Sequence, residues 1–214
     1  YQSDSFPTDP LCNLFTRNGA NLIDFVTDNY INISDQRNRG LDLTIRYQRE
    51  FPWFDFTYQG QFTYQLTDTT ALFPGTETDD NGDVGDPKFV GNSTFRFVRG
   101  PWTLFWGVDI IGPSSDVDDC PSASCLGENI DTSVFGPYRA VIDTPWVFYH
   151  SLSVQREFDR FRLTVGVANL LDENPPRVTT INDQGNFDTV GQSVLASQYD
   201  YVGRRFFMNF NVRF

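Results

Sequence analysis

The stretch that decides the fold is Leu41-Asp42-Leu43-Thr44-Ile45-Arg46-Tyr47-Gln48, where every odd position is apolar and every even one polar. Successive side chains of a β-strand point to opposite faces, so a period of two reads as a strand with one greasy and one wet side. The next segment repeats the pattern with opposite parity. Phe54, Phe56, Tyr58, Phe62, Tyr64 and Leu66 alternate with Asp55, Thr57, Gln59, Gln61, Thr63 and Gln65. Alternation over about eleven residues exceeds the usual strand of a water-soluble domain and matches a tilted strand crossing a bilayer.

Working outward, the same reading gives eight strands: 22–33, 38–49, 53–67, 88–98, 102–112, 144–156, 161–171 and 200–213. Three connections are very short, Glu50–Pro52, Arg99–Pro101 and Glu157–Arg160. Three are long, 68–87, 113–143 and 172–200, and the Ser34–Arg37 turn takes the first place on their side. Strict alternation of short turns and long loops predicts an all-β, antiparallel transmembrane β-barrel wall. The long connections hold 6, 6 and 5 acidic residues against 0, 1 and 1 basic ones, so acid gathers on one rim.

The 214 residues carry a formal net charge of −12, which repels phosphate and argues against nucleic acid as a partner. Hydrophobic residues are only 39%, yet aromatics reach 16%, which suits a polar interior under a thin apolar skin and not a disordered acidic tail. The longest charge-free runs, Phe56–Thr67 and Thr144–Gln155, are too short for a membrane-spanning helix. The polar opening Tyr1–Pro10 does not read as a signal peptide and implies a mature or internal start.

The aromatics fall near strand ends. Phe51, Trp53, Phe54, Phe97, Trp102, Phe158, Phe161 and Phe214 lie toward the short turns; Tyr30, Tyr64, Phe89, Trp106, Trp146 and Tyr201 lie toward the long loops. Two such bands are an aromatic girdle at the two membrane interfaces. In water the same rings would instead form a core, and the pattern alone leaves both open. In the last segment Phe206, Met208, Phe210, Val212 and Phe214 make one apolar face, which an unpaired edge in water could not tolerate.

Cys120 and Cys125, five apart in a turn-rich setting, predict a local disulfide and an oxidising compartment. A zinc site lacks ligands, since His150 is the sole histidine. Cys12 is left over, either a buried free thiol or the mate of a cysteine outside this chain.

Three pieces together resemble the C-terminal barrel portion of a TonB-dependent outer-membrane receptor. Tyr30-Ile31-Asn32-Ile33 leading to Arg39-Gly40-Leu41-Asp42-Leu43 resembles one strand pair of that family. Val165-Gly166-Val167-Ala168-Asn169-Leu170-Leu171-Asp172-Glu173-Asn174-Pro175-Pro176 resembles its penultimate strand, and Gly203-Arg204-Arg205 through Phe214 its closing strand. The resemblance implies a 22-stranded barrel filled by a plug, of which residues 1–214 would supply about a third of the wall. Residues 1–21 would then be the remnant of an outer loop, and Cys12 would pair with a cysteine upstream. It implies energy-coupled uptake of a scarce nutrient (ferric siderophore, cobalamin, glycan or peptide) across the outer membrane of a Gram-negative bacterium. The implied partners are the upstream part of the receptor with its plug, TonB acting through that plug, outer-membrane lipid and the imported small ligand. Phe210, Val212 and Phe214 would form the assembly signal. No plug and no TonB box are read in these residues.

No enzyme constellation emerges. A Ser–His–Asp arrangement would have to use His150, which shares the apolar parity of Trp146, Phe148, Leu152 and Val154. Gly82 and Gly85 lack the Lys-Ser/Thr of a phosphate loop. Asp79, Asn81, Asp83 and Asp86 alternate as calcium ligands can, but Val84 stands where an EF-hand loop needs Gly, so a solvated acidic loop is the competing reading. Inward parity offers Asp42, Arg46, Asp55, Arg96 and Asp109 as ligand-facing candidates, with Tyr138 and Arg139 reaching over the mouth. A water-facing hydrogen-bond network on the wall is the plain alternative for each. Two other architectures stay open: a complete eight-stranded outer-membrane protein with a structural or adhesive role, and a secreted soluble β-sandwich binding module.

Overall fold

The computed structural model describes residues 14–27, 35–71, 77–117, 130–132, 136–138, 141–181, 187–194 and 198–212. Its body is one antiparallel sheet of eight strands, seven of them long: β1 (Asp35–Glu50), β2 (Asp55–Ala71), β3 (Phe89–Arg99), β4 (Trp102–Ile111), β5 (Val147–Glu157), β6 (Phe161–Ala168) and β7 (Arg205–Val212). They follow one another in chain order as a meander. The eighth, Glu77–Asp79, is short and pairs with the end of β2. β1 and β7 are the two edges and do not pair with each other. The sheet is an open wall, as a portion of a larger barrel would be.

Register explains the face. Tyr47 lies opposite Tyr58, Tyr58 opposite Phe95, Phe95 opposite Trp106, Trp106 opposite Leu152, Leu152 opposite Val167 and Val167 opposite Phe206. Residues facing each other across a ladder share a side, so this row crosses all seven strands on one face. The next row toward the short turns carries Phe56, Phe97, Leu104, Val154, Val165 and Met208, and the second row toward the long connections carries Leu43, Phe62, Gly91, Ile110 and Phe148. β4 shows five outward residues in succession, Trp102, Leu104, Trp106, Val108 and Ile110. At about 3.3 Å per residue and a tilt of about 40°, Trp102 to Ile110 rises about 20 Å, most of an apolar band of about 25 Å. The rings stack on each other, with Phe95–Trp106 centroids 4.8 Å apart and Tyr58–Phe95 5.0 Å apart. Phe62 lies over Gly91, where an added Cβ would meet the ring at 2.6 Å, so glycine there gives the ring its seat.

The short turns close one end. Gly100 has φ 55°, as a Gly-Pro hairpin turn between Arg99 and Trp102 requires. Beyond the apolar band β1 and β2 continue as polar ribbon. Leu66 marks the change: Arg39 faces Thr67 and Gly40 faces Gln65, which leaves Leu66 in a bulge.

Several expected boundaries move. The expected strand 22–33 is not part of the wall among the described residues. Ile23–Val26 pairs instead with Phe15–Arg17, inside the expected loop remnant 1–21. The cause is local: Asn18 Oδ1 accepts from the amides of Ala20 and Leu22, and Asn21 adopts φ 62°, so a tight turn satisfies this backbone by itself. Asp35–Arg37, expected as a turn, is strand because Thr69–Ala71 continues far enough to pair with it. The long connections also hold small two-stranded sheets, Ser114–Ser115 with Asp143–Thr144 and Arg177–Ile181 with Phe187–Ser193. The last strand begins at Arg205 and not at 200. Trp106, expected near the long-loop rim, sits third of the five outward residues of β4, at mid-height.

The packed core is small and lies on the inward face, at the long-connection end. Ile111, Val147 and Tyr149 of the wall meet Val178, Val194 and Tyr199 from the last long connection, with Val84 alongside. These connections therefore fold over the inward face. Backbone bonds bind them in a chain: Ser115 N to Gly82 O, Asp116 N to Ile142 O and Thr179 N to Val141 O.

Candidate functional site

Beneath this roof lies a cleft of about 280 Å³ on the polar face. Asp109 comes from β4, Tyr149 and Ser151 from β5, Asn169 from the end of β6, Gln198, Tyr199 and Asp200 from the last connection, and Arg205 from the start of β7. Four neighbouring strands and one loop thus supply a single concave surface.

Asn169 makes the loop turn. It is buried, holds φ 50°, donates from Nδ2 to Glu173 O at 2.8 Å and accepts at Oδ1 from the Glu173 amide at 2.8 Å. Asn tolerates this left-handed conformation because its short amide can bond to nearby backbone. Asp172, at φ 59°, accepts from the Arg204 amide at 2.9 Å and so ties the end of β6 to the start of β7. That tie, with Gly203 at φ 77°, is why β7 starts where it does.

Arg205 Nη1 donates to Asp200 Oδ1 at 2.7 Å, and the Val202 amide donates to the same oxygen at 3.0 Å. Burial would raise the Asp200 carboxyl; the Arg205 hydrogen bond and charge and the Val202 and Gly203 amides outweigh it and hold the group below the usual carboxylate value. Burial pushes the Tyr199 hydroxyl up, so it is a neutral donor at neutral pH. Tyr149 and Tyr199 are 5% and 4% exposed. Neither hydroxyl has a partner at full hydrogen-bond geometry, although the Asp200 backbone approaches the first and Thr144 the second. Both hydroxyls are closed off from the open cleft, so the polar groups a guest could meet there come from Asp109, Ser151, Gln198 and Arg205.

The sequence-predicted candidates share the inward face but do not converge. Asp42 accepts from Thr63 Oγ1 at 2.6 Å, and Asp109 accepts from Asn92 Nδ2. Arg46 sits opposite Gln59, Arg96 opposite Thr57, and Asp55 at the short-turn end opposite Glu50. Of these only Asp109 lines the cleft. Tyr138 lies on a short strand, Gly136–Tyr138, whose side chains are not described; Arg139, Cys12, Cys120, Cys125 and Phe214 lie outside the described residues. Phe210 and Val212 stand on the outward face opposite Leu163 and Phe161.

Among the described residues no group of three or more His, Cys, Asp or Glu is placed to hold a metal ion. Asp79 Oδ1 instead accepts from the amides of Asp68 and Asn81, and Asp83 and Asp86 lie in backbone turns with Asp80 and Gly82. Burial, then the nearby Asp68 and Asp80, raise the Asp86 carboxyl.

Parity reasoning missed Asn169, Tyr199, Asp200 and Arg205. A usable signal was present: Ile111, Val147 and Tyr149 are apolar or aromatic at inward positions and cluster at one end, which calls for a cover.

A family model described as TonB dependent receptor-like, beta-barrel matches residues 7–170. No curated protein and no solved structure matches the chain.

Proposed function

This chain belongs to the TonB-dependent receptor-like β-barrel family, an outer-membrane family, and on that footing we propose that it forms wall and outer loops of a receptor that imports a scarce nutrient. The remaining wall would pair with the free edges of β1 and β7. A plug would close the barrel, and TonB would act on the plug; the residues here would not be the moving part. Phe210, Val212 and Phe214 would mark the closing strand for assembly, and no covalent chemistry is assigned to the chain.

The roofed cleft carries this reading. Its Ser151 and Gln198, beside Asp109 and Arg205, suit a neutral ligand portion rich in hydroxyl or amide groups. Two carboxylates against one guanidinium, under an acidic rim, disfavour a bare anion. A glycan, a peptide or the polar periphery of a neutral chelate meets this description.

Uptake by cells expressing the full-length receptor tests it. Labelled oligosaccharide, peptide, ferric chelate and cobalamin would be offered with and without a protonophore. At least one should accumulate only when the membrane is energised, and Ser151→Ala with Gln198→Ala should lower that uptake. Accumulation of none, or uptake indifferent to the protonophore, contradicts the proposal.

A further inference from the structure

At the short-turn end the outward face changes character. Arg99 and Arg156 are both direct ladder partners of Trp102, one on each side. All three side chains therefore share the outward face in one row, and all three are exposed. The Arg156 guanidinium sits 4.8 Å from the Trp102 ring centre and 4.6 Å from that of Phe158. Two strands from Arg99, Arg49 repeats the arrangement, 5.0 Å from the Phe51 ring centre. Most carboxylates of the same rim lie on the other face. Glu50, Asp55 and Glu157 fall on the inward parity, and Glu157 is held by Arg162 at 3.2 Å. Asp159 lies in the turn itself. Cation–π contact orients a guanidinium without neutralising it, so its N–H fork stays available to an anion.

We propose that Arg99, Trp102 and Arg156 form a seat for the phosphate headgroup of an anionic phospholipid in the leaflet at the short-turn end. The inference rests on the reading that the outward face meets lipid. Trp102 lies at the depth where an indole prefers the boundary between acyl chain and headgroup. The arginines on either side supply two forks, a geometry that fits phosphate oxygens. Leu104, Leu163 and Phe210, in the same and the next row, offer the acyl chain an apolar surface.

The test uses the full-length receptor, purified from outer membranes in a neutral detergent. Phosphatidylglycerol and phosphatidylcholine are added separately and retained lipid is counted by native mass spectrometry. The receptor should prefer phosphatidylglycerol, and the preference should fall as salt rises. Arg99→Gln with Arg156→Gln should weaken it about 30-fold, at about 1 kcal/mol per arginine near an anionic surface. The inward variant Arg96→Gln should leave it unchanged. Equal retention of both lipids, or an equal loss on Arg96→Gln, overturns the proposal. Displacement of the lipid by soluble glycerol phosphate would overturn it as well, since it would identify a site for free phosphate. Heat-modifiable gel mobility, read on the same samples, separates the two readings. A folded barrel without headgroup preference sinks this inference alone; absence from the membrane fraction sinks the membrane reading beneath it.

Discussion

On the outward face of the sheet Leu43, Phe206 and Met208 keep 55%, 79% and 74% of their surface uncovered, whereas on the inward face Ile111 and Val147 keep 3% and 2%. The sheet thus leaves large apolar side chains bare on one side, most of all at its edge strands, and covers Ile111 and Val147 of its central strands on the other. In water the opposite would be required, because exposed apolar patches on soluble monomers seldom exceed a few hundred Å². The difference fits the outer-membrane family, in which the outward face of the wall meets lipid. Protein covers the inward apolar groups at the long-connection end, and on the proposed membrane reading lipid would cover the bare outward ones.

Substitutions can break this comparison, and the largest effect belongs to the outward face. Phe95→Arg, in the mid-height row of Trp106, should destabilise the folded receptor in bilayers by about 2–4 kcal/mol, whereas Thr94→Arg, one residue away on the wet side, should cost little. Urea titration of the liposome-inserted receptor measures both; equal costs would erase the distinction between the faces. Val178→Ala tests the inward core, where about 1–2 kcal/mol of burial should be lost locally. The expected readout is faster external proteolysis within 177–194, with the barrel itself intact. Asn169→Ala removes two hydrogen bonds of about 1 kcal/mol each and should loosen the same roof.

The smallest effects come from protons. Asp200 sits below its ordinary value of 3.8, so its contact with Arg205 stabilises the roof fully above that value and is lost as acid protonates it. The pair is partly solvated, and its contribution is below about 1 kcal/mol. Asp86 works the other way. Its carboxyl is raised above 3.8 by burial, Asp68 and Asp80, so its charged form is a cost at neutral pH. That cost is relieved as pH falls through the raised value and is gone below 3.8. Asp86→Asn should therefore tighten the 77–86 segment at neutral pH and change nothing in strong acid, as hydrogen exchange would report.

Parity made the wall legible. Leu41–Gln48 and Phe54–Leu66 gave strand identity, facing and the alternation of turns, because period two depends on chain geometry alone. Three things were hidden from it. The hairpin at Ile23–Val26 depends on one Asn18 side chain and not on hydropathy. The bulge at Leu66 keeps the strand going past the point where alternation fails. The site residues Tyr199 and Arg205 are brought together by a loop folding back, and strand periodicity carries no information about that. Asn169 was in view within a recognisable motif, but its role becomes clear only from its backbone angle and its two bonds to Glu173.

The central claim is that odd positions from Leu41 to Tyr47 face lipid while even positions from Asp42 to Gln48 face water. Spin labels on single-cysteine variants at each of these eight positions, in the liposome-inserted full-length receptor with its native cysteines replaced by serine, test it directly. The account predicts that accessibility to oxygen and to a water-soluble nickel complex alternates with period two and opposite phase. Uniform access of the nickel complex to both parities would contradict it.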